Sequence, residues 1–131
     1  MTNTYKYLFT PLHLGNTILK NRIVWTGHGT RFTTGPMPTK RLRDYFVRRA
    51  KGEVGLIITE ASAVMLSGRS RGDAMCPYCD DIIPEYQKIA EGVHAYGSKL
   101  FVQLTHAGIN EYKSFGYPVV GPSKVRSSNS Q

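Results

Sequence analysis

Three short apolar runs in this 131-residue chain pass directly into groups that can bind a ligand or move a proton. Ile23-Val24-Trp25 leads into Thr26, Gly27, His28 and Gly29. Val54 to Ile58 leads into Thr59, Glu60 and Ser62, and Leu100-Phe101-Val102 into Gln103, Thr105 and His106. Imidazoles exchange protons near neutral pH, so His28 and His106 are candidate donors or acceptors. Gln103 sits in an otherwise apolar run, and a buried amide needs hydrogen-bond partners, which a ligand edge or buried backbone can supply. Gly27 and Gly29 permit close backbone approach. Glu60, at the end of a buried strand, is more commonly an ion-pair partner than a base. Every strand must also leave its sheet through polar residues, so the pattern alone leaves a shared site and three ordinary strand exits both open.

Cys76-Pro77-Tyr78-Cys79 is the other chemically pointed motif. Its spacing matches a glutaredoxin-type dithiol, in which a thiolate of lowered pKa sits at a helix N-terminus. That chemistry wants a strand just before the first cysteine, and Arg69 to Met75 make a poor strand. Asp80-Asp81 follow and would raise a thiolate pKa. One cysteine pair is too few ligands for a zinc or iron–sulfur site, so no metal is expected here. Two loop cysteines without a role is the plainer reading. A small dithiol redox protein stays as the alternative function.

The elements that would position these groups follow from periodicity. Leu12-His13-Leu14 and Thr17-Ile18-Leu19 flank Gly15-Asn16, the signature of a tight β-hairpin. Ile23–Thr26 reads as a strand buried on both faces, Val54–Thr59 as a second buried strand and Leu100–Leu104 as a third strand. Residues 33–38 read as a loop. A helix is expected from about Thr39 to Lys51, with Leu42, Tyr45, Phe46, Arg49 and Ala50 on one face and Gly52 as its stop. Residues 63–79 read as irregular, with room for a small hairpin. A second helix is expected from about Pro84 to Tyr96, with Tyr86, Ile89, Ala90 and Val93 inward and Gly97 ending it. Gly92 inside that helix costs about 1 kcal/mol against alanine. Strands alternating with helices give an α/β fold with parallel strands and right-handed crossovers.

Composition bounds the rest. At 40% hydrophobic and 20% charged, the chain reads as soluble and globular. No apolar run approaches the roughly 20 residues that span a membrane, and the first residues lack a secretory pattern, so a cytoplasmic location and no membrane partner are expected. The net charge of +8 has three readings: a nucleic-acid surface, a site for a phosphate-bearing ligand, or a solvated surface. The basic residues run from Lys6 to Arg126 without tight clustering, which disfavours nucleic acid.

Four motifs in order carry a family resemblance. Leu19-Lys20-Asn21-Arg22-Ile23-Val24 resembles the opening of barrel strand one in Old Yellow Enzyme-like NADH:flavin oxidoreductases. Gly55 to Val64 resembles their second strand, Gln103-Leu104-Thr105-His106-Ala107-Gly108 their third, and Gly121-Pro122-Ser123 the element after it. Thr26-Gly27-His28 is similar to the branch that holds trimethylamine dehydrogenase, 2,4-dienoyl-CoA reductase and N-methylproline demethylase-like enzymes. The resemblance implies a TIM (β/α)₈ barrel of about 250 residues, of which residues 1–131 form the N-terminal third, about three βα units behind a β-hairpin.

It also implies FMN as cofactor, NAD(P)H as reductant and a small-molecule substrate, either an amine or an enoyl compound. Thr26, Gly27, His28 and Gly29 would lie along the flavin ring, Ala61 would offer backbone to it, Gln103 would bond its pyrimidine edge, and His106 would stand nearby. Catalytic residues are expected on strands beyond this chain. A 4Fe-4S cluster, FAD and a homo-oligomeric state are implied only for a longer parent. Gly29 stands where trimethylamine dehydrogenase carries its flavin-linked cysteine, so no covalent flavin link is expected there. Ile109 stands where the family commonly has arginine. The 131-residue chain alone is expected to be inactive, to bind FMN poorly and to aggregate through its open sheet edges.

Overall fold

The computed structural model describes residues 5–70, 74–75, 79–110, 116–118 and 120–123. Strands β1 (Leu12–Leu14) and β2 (Thr17–Leu19) pair antiparallel, with Leu12 opposite Leu19. Gly15 turns the hairpin at φ +56°, a left-handed backbone that glycine takes without a Cβ clash. The chain then enters β3 (Val24–Trp25). The stretch read as a loop over 33–38 is instead a second hairpin, β4 (Thr33–Thr34) with β5 (Met37–Pro38). Gly35, at φ +56°, turns it, and its strands are too short to show alternation.

Helix α1 (Lys40–Lys51) starts where capping chemistry places it. The Thr39 hydroxyl accepts from the Leu42 amide at 3.4 Å and donates to the Phe32 carbonyl. Arg48, Arg49 and Lys51 complement the negative end of the helix dipole. The helix stops before Gly52, yet Gly52 has φ −82°; the left-handed residue is Glu53, at φ +70°. Next come β6 (Leu56–Ile58), β7 (Ser62–Ala63), helix α2 (Ile83–His94), β8 (Lys99–Phe101) and β9 (Leu104–Thr105). Among the described residues of 63–79, a short 3₁₀ turn covers Leu66–Gly68 and Met75 bridges Ser62 in parallel.

The parallel sheet has the order β3-β6-β8, with Val24 beside Leu56 and Ile57 beside Leu100. Both helices pack on one face of it. Leu42, Phe46 and Ala50 from α1 meet Ile89 and Val93 from α2 over Ile57, Val54, Met75 and Ile82. Burying a side chain such as Phe46 contributes about 1.5–3 kcal/mol. Gly92 has a packing role that offsets its helix cost: a Cβ there would lie 2.6 Å from Val47 Cγ2 of α1. Arg49 joins the apolar face because its guanidinium stacks, 3.2 Å from the Tyr45 ring centroid and 4.8 Å from that of Trp25.

Only the central strand fits burial on both faces. Leu56 and Ile57 are buried, whereas Val24 in β3 and Phe101, Val102 and Leu104 in and after β8 are exposed. The first and third strands lie at the sheet edges of this chain, and the face away from the helices has no second layer among the described residues. An apolar groove of about 500 Å3 runs along the outer side of α2 and β8, lined by Ile83, Leu100, Val102 and Leu104 among others.

The ladder changes step near its carboxyl end. Ile58 pairs with Phe101 and Ser62 with Leu104, so residues 59–61 lie opposite only residues 102–103. One extra residue on the central strand is a bulge, a device that re-aims side chains at a sheet rim.

Candidate functional site

Gly27 and Gly29, after β3, meet Ala61 in the bulge and Gln103 and Thr105 on the third strand segment. With Ser70 and Ala74 they line a pocket of about 220 Å3 at the carboxyl ends of the strands. This is the rim where parallel α/β folds bind ligands. The walls are small. A Cβ on Gly27 would fall 2.1 Å from Gln103 Oε1 and 3.0 Å from the Thr59 carbonyl. Glycine there lets the third-strand amide lie against the first-strand backbone, so the pocket offers flat, Cβ-poor backbone with one amide at its edge.

The bulge braces the pocket on both sides. Thr59 Oγ1 accepts from the Gln103 backbone N–H at 3.1 Å. Glu60 Oε2 accepts from the Thr30 amide at 2.6 Å and from the Thr30 hydroxyl at 2.7 Å. Ala61 then lines the cavity. Behind them the Ser62 and Tyr86 hydroxyls lie 2.8 Å apart, with Tyr86 3.7 Å from the Met75 sulfur. Burial pushes the Tyr86 phenol above its ordinary value, against an opposing contribution from the Ser62 hydrogen bond.

The residues expected at one site are divided between surfaces. Gly27, Gly29, Ala61 and Gln103 come together. Thr26 and His28 line a neighbouring groove of about 400 Å3 with Val24, Trp25 and Tyr45. The exposed His106 packs on Gly68, where a Cβ would lie 2.7 Å from its ring. His106 Nδ1 accepts from the Gly108 amide at 3.0 Å, so in the neutral ring Nε2 carries the proton. Thr30 acquires a role through Glu60 that its sequence context did not signal. Ser70 and Ala74 come from the irregular segment, where no periodicity could point to them.

Cys76 lies outside the described residues. Cys79 is half-buried and precedes a 3₁₀ turn at Asp80–Ile82, and α2 begins only at Ile83. That is not the helix start at the first cysteine that a dithiol site uses. Among the described residues no group of three or more His, Cys, Asp or Glu could hold a metal. No helix there is long and apolar enough to cross a membrane.

A parallel α/β sheet with a small-walled pocket at its strand ends places a candidate ligand site where α/β folds bind ligands. The family model for the NADH:flavin oxidoreductase / NADH oxidase family matches residues 7–130. The chain belongs to that family. It is 35% identical over 124 residues to N,N-dimethylglycine/sarcosine dehydrogenase of Chromohalobacter salexigens, covering 91% of this chain and 18% of the relative. It is 38% identical over 104 residues to NADPH dehydrogenase of Bacillus subtilis, covering 77% of this chain and 30% of that protein. Among solved structures, the old yellow enzyme from Trypanosoma cruzi superposes with a TM-score of 0.87 at 28% identity, over 96% of this chain and 37% of that one. The chain thus spans about a fifth to two-fifths of the length of the proteins it matches.

Proposed function

We propose that the protein carrying this chain is an FMN-dependent oxidoreductase that uses NAD(P)H, and that residues 1–131 form part of its FMN-binding TIM barrel. The observation that carries this reading is the pocket at the strand ends. Its walls lack bulk where a flat ring needs backbone contact, and Gln103 offers an amide where ring carbonyls and N–H groups need partners. The residues present therefore fit a flavin ring. Gly27, Gly29 and Ala61 would bear on the ring and Gln103 would bond its polar edge. Thr26, His28 and His106 would stand around the site, not in this pocket. FMN, when bound, supplies the hydride chemistry, while the protein binds, orients and tunes it.

The substrate is proposed to be a small molecule, an amine or an enoyl compound. The dehydrogenase relative, named for N,N-dimethylglycine and sarcosine, favours the amine. A 4Fe-4S cluster, FAD, a cytoplasmic location and a homo-oligomeric state go with the same branch of the family and belong to the proposal for the longer protein.

The test is to purify the protein that carries this chain and read its visible absorbance, then to titrate FMN into the apoprotein. A yellow protein whose flavin affinity drops with Gln103→Ala supports the reading. A colourless protein that takes up no added FMN would overturn it. The dithiol alternative is tested in the same assay, because Cys76→Ser and Cys79→Ser should leave flavin affinity unchanged.

A further inference from the structure

We propose that Glu60 is a positioning residue for the flavin pocket, acting through Thr30 to hold the glycine wall formed by Gly27 and Gly29. The proposal rests on the flavin reading and adds a residue that does not itself line the cavity. Glu60 is only 1% exposed. A carboxyl group so deeply placed is costly unless it is hydrogen-bonded. One of its oxygens takes two donors from a single residue, the amide and the hydroxyl of Thr30. The same hydroxyl accepts from the Phe32 amide at 3.1 Å. These bonds straddle Arg31, whose φ of +59° is a conformation that non-glycine residues rarely take. Backbone held in a sparsely populated region persists where its surroundings over-determine it.

The placement follows from the bulge. With an even ladder, residues beyond Ile58 would continue the alternation of β6. The extra residue breaks it, and Glu60 reaches across to the loop that follows the neighbouring strand. Three consecutive residues then divide the work: Thr59 holds the Gln103 wall, Glu60 holds the glycine wall, and Ala61 is the surface between them. Glu60 touches Thr30, which follows Gly29 directly, so it shapes the pocket without lining it.

The experiment is a double-mutant cycle in the full-length flavoprotein, using Glu60→Ala, Thr30→Val and both together, with Thr30→Ser as the conservative control. Two readouts are taken: the FMN dissociation constant of the apoprotein, and amide hydrogen exchange over residues 26–32. Thr30→Val removes the hydroxyl's two hydrogen bonds, to Glu60 and from the Phe32 amide, and should weaken FMN about fivefold. Glu60→Ala should weaken it by about tenfold or more, and by clearly less in the Thr30→Val background, where only the bond from the residue-30 backbone amide is left to lose. Thr30→Ser should match the wild type. Exchange over 26–32 should quicken in both single variants. Folded variants that melt earlier yet keep wild-type FMN affinity and wild-type exchange would overturn the proposal, since that is the result of a merely structural role. Additive effects on affinity would overturn it as well. A wild-type protein that takes up no FMN would remove the flavin reading, and exchange unchanged by Thr30→Val would separately remove the Glu60–Thr30 brace.

Discussion

The two ends of the parallel sheet are built by opposite means. At the amino-terminal end, polar side chains lace the turns together. Asn21 is buried; its amide donates to the Glu53 carbonyl at 2.6 Å and its oxygen accepts from the Ile23 amide at 3.0 Å. Lys20 reaches Glu53 at 3.1 Å and the Tyr96 carbonyl at 2.8 Å, tying the turn after α1 to the turn after α2. Ser98 donates to the Val54 carbonyl at 2.6 Å. At the carboxyl end, Gly27, Gly29, Ala61 and Ala74 leave a hollow. One end spends its side chains on backbone hydrogen bonds, and the other withholds them to make room. On the proposed flavin reading, stability and binding should therefore be separable along the same three strands, as the fold-level rule for the two faces of a barrel leads one to expect.

Substitutions at each end sharpen or break that comparison. The largest effect on stability is expected from Asn21→Ala, which removes a buried side chain that bonds the Glu53 carbonyl and the partly buried Ile23 amide. It should cost about 2–4 kcal/mol in denaturant unfolding, while the folded fraction keeps its FMN affinity. A loss of affinity as large as the loss of stability would show that the two ends are not independent. Gly27→Ala comes next and should do the reverse. Overpacking of this kind costs about 1–3 kcal/mol, and here it should fall mainly on binding, because the exposed end of Gln103 can swing out of the pocket. FMN affinity should drop about tenfold or more, with little change in the unfolding midpoint.

Lys20→Met should be milder. Its ion pair with the largely exposed Glu53 carries little and its bond to a carbonyl somewhat more, together about 1 kcal/mol. Unfolding at low and high salt would separate the two, since only the ion pair is screened. The smallest effect belongs to Tyr86, behind the pocket. Its phenol ionises above the ordinary value near 10 in the folded chain. Below that pH both states keep the proton and the group contributes no pH dependence. As pH rises past the unfolded value, the unfolded chain ionises first and stability falls until the raised folded value is passed. Tyr86→Phe should therefore flatten the alkaline loss of stability in melts run from pH 8 to about 11.

Much of the framework was legible because it rests on local chemistry. The Gly15-Asn16 turn, the helix start near Thr39 and the apolar face Leu42-Phe46-Ala50 are each written in a few adjacent residues. The order of strands and helices followed from period alone. What escaped was set by register and edges. Val24 read as buried because apolar runs look alike in central and edge strands. The hairpin at Thr33–Pro38 was too short to show alternation. In the site, glycines and Gln103 were visible as residue types out of place. The separation of Thr26 and His28 from Gly27 and Gly29 was not, because it depends on which way each residue leaves the strand. The brace from Glu60 to Thr30 spans thirty positions, and no local pattern encodes it.

The arginine-aromatic stack has a spectroscopic consequence. Trp25 is the sole tryptophan of the chain. Its indole lies 6.0 Å from the Tyr45 ring and beneath the Arg49 guanidinium, two residues before Gly27. Indole emission from residues 1–131 thus comes from one place, the edge of the sheet beside the pocket wall, and in the longer protein it is the part of the emission that Trp25→Phe removes. A neighbouring segment closing on that edge or an isoalloxazine settling past Gly27 would each alter the same signal. The first would shift its colour by excluding water, and the second would drain its intensity by energy transfer, so the chain carries its own two-channel optical gauge of assembly and loading.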